Sequence, residues 1–236
     1  MKKYYLVLDT ETTNTIEQPI PYDIGWVVCD RQGNIVEKRS YVVEEVFKEM
    51  PDLMSYAYYV EKIPQYEKDI SAGSRKIAGM WEIRRKMKED IKNYKIREVC
   101  AYNVAFDKRA LNNLIRYVSK SFFRWWFPFG VEFVCIWHMA CQVLLSRKSY
   151  LDFAELANLI NEKGNISTSA ESAYKYITKN ENFVESHTGL EDVEIEVEIM
   201  RECFRQKKKM DKGINSACWR MVQRKRKEYD LREAFA

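Results

Sequence analysis

Apolar residues near the start of the chain predict three consecutive β-strands. Mostly apolar runs cover residues 3–9, 22–30 and 35–43, and each has the length and composition of a strand. The sequence DRQGN separates the second run from the third, and its Gly33 and Asn34 tolerate the positive φ of a tight turn. These patterns predict that the chain opens with an antiparallel meander.

Strands and helices alternate in the rest of the sequence. Short apolar runs at 98–102 and 133–137 predict two more strands. Residues 107–119 place apolar side chains at helical spacing. Similar patterns predict helices at 139–145, 152–161, 169–178 and 190–206. The expected fold class is therefore α/β, with a central mixed five-stranded sheet flanked by helices.

Positive charge is concentrated at the C-terminus. Residues 201–236 carry 12 Lys/Arg and 5 Asp/Glu, a net charge of +7, whereas the other 200 residues carry a net charge of −3. We expect a domain over residues 1–206 and a basic, helical C-terminal tail over residues 207–236. The tail either binds a polyanion or forms a helix whose charges are solvated. In the second case it would pack on the body through Ala217, Trp219, Met221 and Val222.

The sequence predicts a cytoplasmic protein without a membrane segment. Only five apolar residues lie between Lys3 and Asp9, too few for the core of a signal peptide. Charged residues and a proline interrupt the longest apolar stretch, residues 122–145. The six cysteines form no CxxC pair, which disfavours a zinc site and favours free, buried thiols.

Two carboxylates stand at the end of the first predicted strand. In VLDTETTN, Asp9 and Glu11 are two positions apart, so both side chains leave the strand on one face. Neighbouring carboxylates repel each other, and a divalent cation relieves the repulsion. Oxygen ligands suit Mg²⁺ or Mn²⁺ better than Zn²⁺. For a single pair of this kind, solvated acids in a loop are the alternative.

Two later stretches add acids at comparable positions. AYNVAFDKRAL puts Asp107 where a strand passes into a helix, a position that also suits an N-cap. SHTGLEDVEIEVEIM puts Asp192 in the first turns of an amphipathic helix, five positions after His187. The other histidine, His138, lies between two apolar residues, which favours a packing role for it.

Three motifs together resemble those of one enzyme family. VLDTETTN, AYNVAFD and HTGLED, in this order, resemble the motifs of the DEDDh (DnaQ-like) 3′–5′ exonucleases of the ribonuclease H-like superfamily. The resemblance covers residues 3–205 and places the exonuclease domain within residues 1–206. Thr188 stands where the related tyrosine variant has its tyrosine, so the histidine variant is the match. Asn14 replaces a frequent glycine, and Asn also tolerates a left-handed backbone. The resemblance implies the ribonuclease H-like α/β fold.

The resemblance also implies roles for individual residues. His187 would be the general base. The catalytic acids, which would hold two Mg²⁺ or Mn²⁺ ions, would be Asp9, Glu11, Asp107 and Asp192. Candidates for contact with the substrate are Thr10, Thr12, Asn103 and Phe106. Their structural alternatives are strand propensity for the threonines, core packing for the phenylalanine and a local turn bond for the asparagine.

The expected function is that of a metal-dependent 3′–5′ exonuclease acting on single-stranded DNA 3′ ends. The alternatives are a 3′–5′ exoribonuclease, because the same site cleaves both polymers, and a non-catalytic nucleic-acid-binding or polymerase-associated module. A proofreading role would need a replication polymerase in trans. Segments 44–95 and 120–134 fit the family pattern poorly. The second contains aromatic residues, either buried or available for stacking on bases, at Trp125, Trp126, Phe127 and Phe129.

Overall fold

The computed structural model describes residues 2–234, with side chains described through residue 231. Within that range the strands are β1 (Tyr4–Thr13), β2 (Ile20–Asp30), β3 (Ile35–Val43), β4 (Ile77–Ala78), β5 (Glu98–Ala101) and β6 (Glu132–Cys135). They form one mixed sheet in the order β4-β3-β2-β1-β5-β6. The antiparallel pairs β1–β2 and β2–β3 confirm the expected meander, and the other pairs are parallel.

The expected sheet of five strands is corrected to six. The additional strand, β4, has only two residues and pairs with Val42 and Val43 of β3. Two residues cannot establish an alternating or continuous apolar pattern, so the sequence gives no signal for this strand. The turn between β2 and β3 is as predicted, because Gly33 has a φ of 82° and donates its N–H to Asp30.

Helices occupy most of the connections between the strands. In the described range they are α1 (Glu44–Phe47), α2 (Pro51–Met54), α3 (Ile63–Ser71), α4 (Met80–Asn93), α5 (Val104–Ser119), α6 (Ile136–Val143), α7 (Lys148–Leu156), α8 (Ala170–Thr178), α9 (Gly189–Arg205) and α10 (Trp219–Ala234). A short 3-10 turn, Val60–Lys62, precedes α3. No helix among the described residues has the length and apolar character needed to cross a membrane.

The sheet separates two hydrophobic cores. Tyr5 and Val7 of β1 lie in the core that the sheet shares with α6 to α10. Leu6 and Leu8 lie in the core on the opposite face, which contains residues of α4 and α5. This alternation follows from the two-residue period of a strand. The molecule is therefore a three-layer arrangement in which β1 contributes to both cores.

The basic C-terminal segment packs against the body. Cys218 and Val222 are fully buried in the same core as α6 and α7. The Gln223 amide bonds the backbone N–H and C=O of Ile166 at 3.0 and 2.9 Å. The segment therefore packs on the body, while polyanion binding by its basic residues and the division of the chain at residues 206 and 207 stay predictions.

The cysteines and His138 have packing roles, as expected. All six cysteines are free and buried. His138 is 6% exposed, and its Nδ1 lies 2.9 Å from the carbonyl oxygen of Gly213. These residues fill the interior rather than line an open site.

Two glycines allow the start of α9 to lie directly on β2. A Cβ atom built on Gly25 would overlap the carbonyl group of Gly189, and one built on Gly189 would lie 2.9 Å from the Gly25 nitrogen. Real Cβ atoms do not approach backbone this closely, so only glycine fits at either position. Gly25 pairs with Asp9 across the β1–β2 ladder. The contact thus brings the start of α9 next to the acidic end of β1.

Gly25→Ala is expected to lower the free energy of unfolding by about 3 kcal/mol or more, because backbone on both sides must shift to admit the methyl group. Urea unfolding followed by circular dichroism measures the change. The matched control is Gly79→Ala, whose added methyl group would meet only the Glu45 carboxylate, at 3.4 Å. Equal stabilities of the two variants would contradict the role assigned to the Gly25–Gly189 contact.

Candidate active site

Three chain segments meet at one end of the sheet. They are the end of β1, the start of α5 and the start of α9. β5 lies parallel to β1, so α5, which follows β5 after two residues, begins beside the end of β1. The Gly25–Gly189 contact adds the start of α9. Topology therefore assembles the three sequence motifs at a single place.

Asp9 and Glu11 lie on the same face of β1, the face towards α9. Glu11 is 6% exposed, and a β-bulge follows it, between Glu11 and Thr12. Such bulges re-aim side chains at the end of a strand. Burial raises the pKa of Asp9 well above its ordinary value, and the carboxylates of Asp107 and Glu196 raise it further. The pKa of Glu11 rises to about 9, first through burial and then through Asp192.

Asp107 is buried on the first turn of α5. It is 4% exposed, and its Oδ1 accepts a hydrogen bond of 2.9 Å from the Thr10 hydroxyl. Burial raises the pKa of Asp107 to about 7, although the bond from Thr10 opposes the rise. The possible N-cap role for Asp107 is wrong, because Asn103 occupies the cap and Asp107 is the fourth residue of the helix.

Asp192 and His187 complete the group. Ligand atoms of Glu11, His187 and Asp192 all lie within 4.8 Å of one another. Asp192 Oδ1 accepts a hydrogen bond of 3.0 Å from the Ser186 hydroxyl. Burial raises the pKa of Asp192 to about 6, and the Ser186 bond opposes this rise. The structure thus brings together all five residues that the family motifs single out.

The His187 ring has a defined orientation. It stacks on Tyr59 with ring centroids 4.1 Å apart and an interplanar angle of 13°. The backbone of His187 is left-handed, with a φ of 50°. Lys62 donates a hydrogen bond to the carbonyl oxygen of Ser186. Burial and then the Lys62 charge lower the pKa of His187 from 6.5, so the imidazole is neutral near pH 7.

Two acids beside the site, one buried and one half-buried, were not singled out from the sequence. Glu196, one turn after Asp192 on α9, is 3% exposed, and its Oε2 has no hydrogen-bond partner among the described residues. Burial raises the pKa of Glu185 to about 7, with Asp192 adding to the rise. Glu171, Glu185 and His187 form a second group whose ligand atoms lie within 4.8 Å of one another. The four-residue spacing of Asp192 and Glu196 was the available signal for Glu196.

The candidate substrate residues differ in accessibility. Thr10 is buried and its hydroxyl is bonded to Asp107. Thr12 is half-buried, and its carbonyl oxygen accepts a bond of 3.2 Å from the Tyr58 N–H. Asn103 is exposed, and its carbonyl oxygen accepts a bond of 2.8 Å from the Phe106 N–H, so its bond within the turn comes from the backbone. Phe106 is half-buried, which leaves part of its ring open.

Asp23 links the segments around the candidate site through hydrogen bonds. This fully buried residue stands opposite Glu11 on β2. Its Oδ2 accepts bonds from the Tyr66 hydroxyl at 2.7 Å, from Arg75 at 3.1 Å and from the Gly189 N–H at 3.1 Å. A single carboxylate oxygen therefore ties α3, the loop after it and the start of α9 to β2.

The donor set fits hard divalent cations. Four carboxyl groups and one imidazole converge, and the neighbouring Glu196 has an unpartnered buried oxygen. Without a cation, burial and mutual repulsion keep several of these carboxyl groups protonated near pH 7. Oxygen ligands of this number suit Mg²⁺ or Mn²⁺. Asp9, Glu11, Asp107 and Asp192 could hold such ions.

Solved structures of exonuclease I share this architecture. A zinc-bound complex of E. coli exonuclease I with single-stranded DNA matches with a TM-score of 0.57 and 15% identity, over 85% of this chain and 40% of that chain. Its complex with a 5cy-dT13 oligonucleotide matches with a TM-score of 0.57 and 15% identity, over 88% of this chain and 41% of that chain. A product-bound structure of exonuclease I matches with a TM-score of 0.56 and 14% identity, over 87% and 43%.

The chain has the ribonuclease H-like fold of exonuclease I. This confirms the fold expected from the three motifs. The chain spans about two fifths of the length of the exonuclease I chains that it matches. No protein-family model matches the sequence, and no curated protein sequence matches it.

In chelator, the protein is expected to lose stability as the pH rises from 6 to 9. The folded state keeps protons on Asp192, Asp107 and Glu11, whose pKa values are about 6, 7 and 9, whereas the unfolded chain is already ionised. Thermal melts across this pH range should show a falling melting temperature. Added Mg²⁺ should restore it, with an increment that grows with pH.

Glu11→Gln should flatten this pH dependence in chelator, because the variant lacks one of the groups that lose a proton. The matched control, Glu17→Gln, removes an exposed carboxyl group and should melt like the wild type. A melting temperature in chelator that rises steadily from pH 6 to 9 would contradict the repulsion between these acids.

Proposed function

We propose that this protein is a metal-dependent 3′–5′ exonuclease of the DEDDh type. The observation that carries the proposal is the meeting of the carboxyl groups of Asp9, Glu11, Asp107 and Asp192, two of which, Glu11 and Asp192, have ligand atoms within 4.8 Å of a His187 ring nitrogen. The order of the three motifs and the exonuclease I fold support it. A purely binding module has no use for buried acids whose repulsion opposes folding.

Each residue has a defined part in phosphodiester hydrolysis. When bound, two divalent cations lower the pKa of water and stabilise charge on the attacking and leaving oxygens. Asp9, Glu11, Asp107 and Asp192 would bind these cations. His187 would take the proton of the attacking water, and its lowered pKa keeps it neutral for that task. Stacking on Tyr59 fixes the plane of the imidazole.

The proposed substrate is the 3′ end of single-stranded DNA. The matched exonuclease I structures include complexes with single-stranded DNA and with an oligonucleotide, which supports a single strand here. A 3′–5′ exoribonuclease is the alternative, and matched DNA and RNA oligomers distinguish the two. Proofreading for a polymerase in trans would be one use of the same activity.

Asp9→Ala and Asp192→Ala are each expected to abolish nucleotide release. Each change removes a metal ligand and relieves repulsion, so the melting temperature in chelator should stay the same or rise. The measurement is Mg²⁺-dependent release from strands labelled at the 5′ or the 3′ end, which also gives the direction of degradation. Asp230→Ala, at an exposed position of α10, is the control. Near-normal release by either site variant would refute the metal-dependent mechanism.

His187→Ala is expected to lower the rate by roughly 10²- to 10⁴-fold, the usual contribution of a positioned acid–base group. The wild-type rate should fall at acidic pH, at a midpoint below 6.5, as the histidine gains its proton. Single-turnover cleavage across pH 5 to 8 measures both effects. His138→Ala serves as the comparison, and an equal loss of rate in that variant would show that the wrong histidine carries the role.

A further inference from the structure

A cavity of about 450 Å³ lies at the far end of α5 from the carboxylates. It opens between the segment that follows β1 and the last turns of the helix. Its lining includes two amides, two cations and two aromatic rings, namely Gln18, Asn113, Arg116, Lys120, Tyr117 and Phe122. No carboxylate is among the residues that line it. The volume is that of a small-ligand site, and the side chains favour an anion with a flat, apolar part.

Arg116 has no acidic partner among the residues whose side chains the structure describes. Its Nε is buried and has no hydrogen-bond partner among the described residues. Its guanidinium lies 4.4 Å from the centroid of the Trp125 ring. By contrast, Arg39 pairs with Asp90 and Arg75 pairs with Asp23. An arginine that stacks on a ring and has no carboxylate partner is suited to binding phosphate.

Aromatic rings surround these cations on an exposed surface. The loop from 120 to 131 has six aromatic residues, two cations and no acid. Its Phe122 and Phe123 are 83% and 92% exposed. The Lys120 ammonium lies 4.3 Å from the Tyr117 ring, which is itself 42% exposed. Single-stranded nucleic acids bind to surfaces of this kind, because their bases stack on exposed rings and their phosphates pair with cations.

α5 connects this pocket to the candidate active site. Asp107 and Lys120 are 13 positions apart on or directly after one helix, a distance of about 20 Å. Arg109 is exposed between them, with its guanidinium 5.6 Å from the Phe106 ring. At about 3.4 Å per nucleotide in a stacked strand, this distance corresponds to about six nucleotides.

We propose that the pocket binds the substrate strand about six nucleotides upstream of its 3′ end. Arg116 and Lys120 would pair with phosphates, and Tyr117 and Phe122 would stack on bases. This inference rests on the proposed function, since the 3′ end must lie at Asp107 for the distance to apply.

The test is fluorescence anisotropy in chelator, where no cleavage occurs, with labelled oligo(dT) of 4 and of 12 nucleotides. Arg116→Gln combined with Lys120→Gln should weaken binding of the 12-mer by roughly tenfold and lower the salt slope of log affinity by about 1.4. Binding of the 4-mer should change little, because it cannot reach the pocket. The matched control is Lys163→Gln, which removes an exposed lysine elsewhere.

A second variant tests the stacking. Tyr117→Leu combined with Phe122→Leu should weaken 12-mer binding by roughly five- to hundredfold while leaving the salt slope unchanged, because base stacking releases no counterions. Thermal melts equal to wild type within a few degrees show that each variant is folded.

Two results would overturn the inference. One is 12-mer affinity equal to wild type in both double variants, as expected if the loop contacts a protein or a lipid surface instead. The other is an equal loss of affinity for the 4-mer and the 12-mer. A different measurement tests the proposed function. If that function is wrong, the wild-type protein will release no nucleotides when Mg²⁺ is added. A selective loss of 12-mer binding would support the pocket even then.

Discussion

The close contact between Gly25 and Gly189 is the constraint on which the candidate site depends. Asp192 lies beside the paired acids of β1 because α9 reaches the neighbouring strand with no side chain between the two backbones. The bond from the Gly189 N–H to Asp23 fixes the helix at this distance. If a side chain separated the two backbones, the Asp192 carboxylate would lie further from those of Asp9 and Glu11, and the three would not form one site. The geometry of the candidate site therefore depends on the absence of two Cβ atoms.

The buried acids of the candidate site lower the stability of the folded protein. Asp9 and Glu196 each have a raised pKa because they are buried and because they face other carboxyl groups, and burial raises the pKa of Asp107. In the absence of a cation, protonation of the carboxyl groups and hydrogen bonds such as that from Thr10 to Asp107 reduce the free-energy cost of burying them together. The rest of the molecule, with a hydrophobic core on each side of the sheet, supplies the stability that this cluster lacks.

The sequence predicted those parts of the structure that follow from local pattern. The meander and the α/β class could be predicted because each depends on spacing along a few residues, and the resemblance to the DEDDh exonucleases implied that the three motifs converge. Tyr59, which stacks on His187, could not, because it lies in a segment with no family pattern and meets the histidine only after folding. Glu196 was missed because it is one of several acids on α9, and only its four-residue spacing from Asp192 distinguishes it. Asp107 was placed correctly at a helix start, but the cap itself is Asn103, because the helix begins three residues earlier than its apolar pattern shows.

The shortness of β4 has a consequence for association between copies of the protein. β4 pairs with β3 only at Val42 and Val43, so most of β3 forms the outer edge of the sheet. An exposed edge of this length can recruit a strand from another molecule and so start aggregation. Three consecutive charged residues, 37–39, occupy the middle of this edge, and charges there discourage such pairing. The backbone hydrogen-bonding groups along this edge have no partner strand among the described residues, and the charged residues 37–39 of β3 disfavour self-association there.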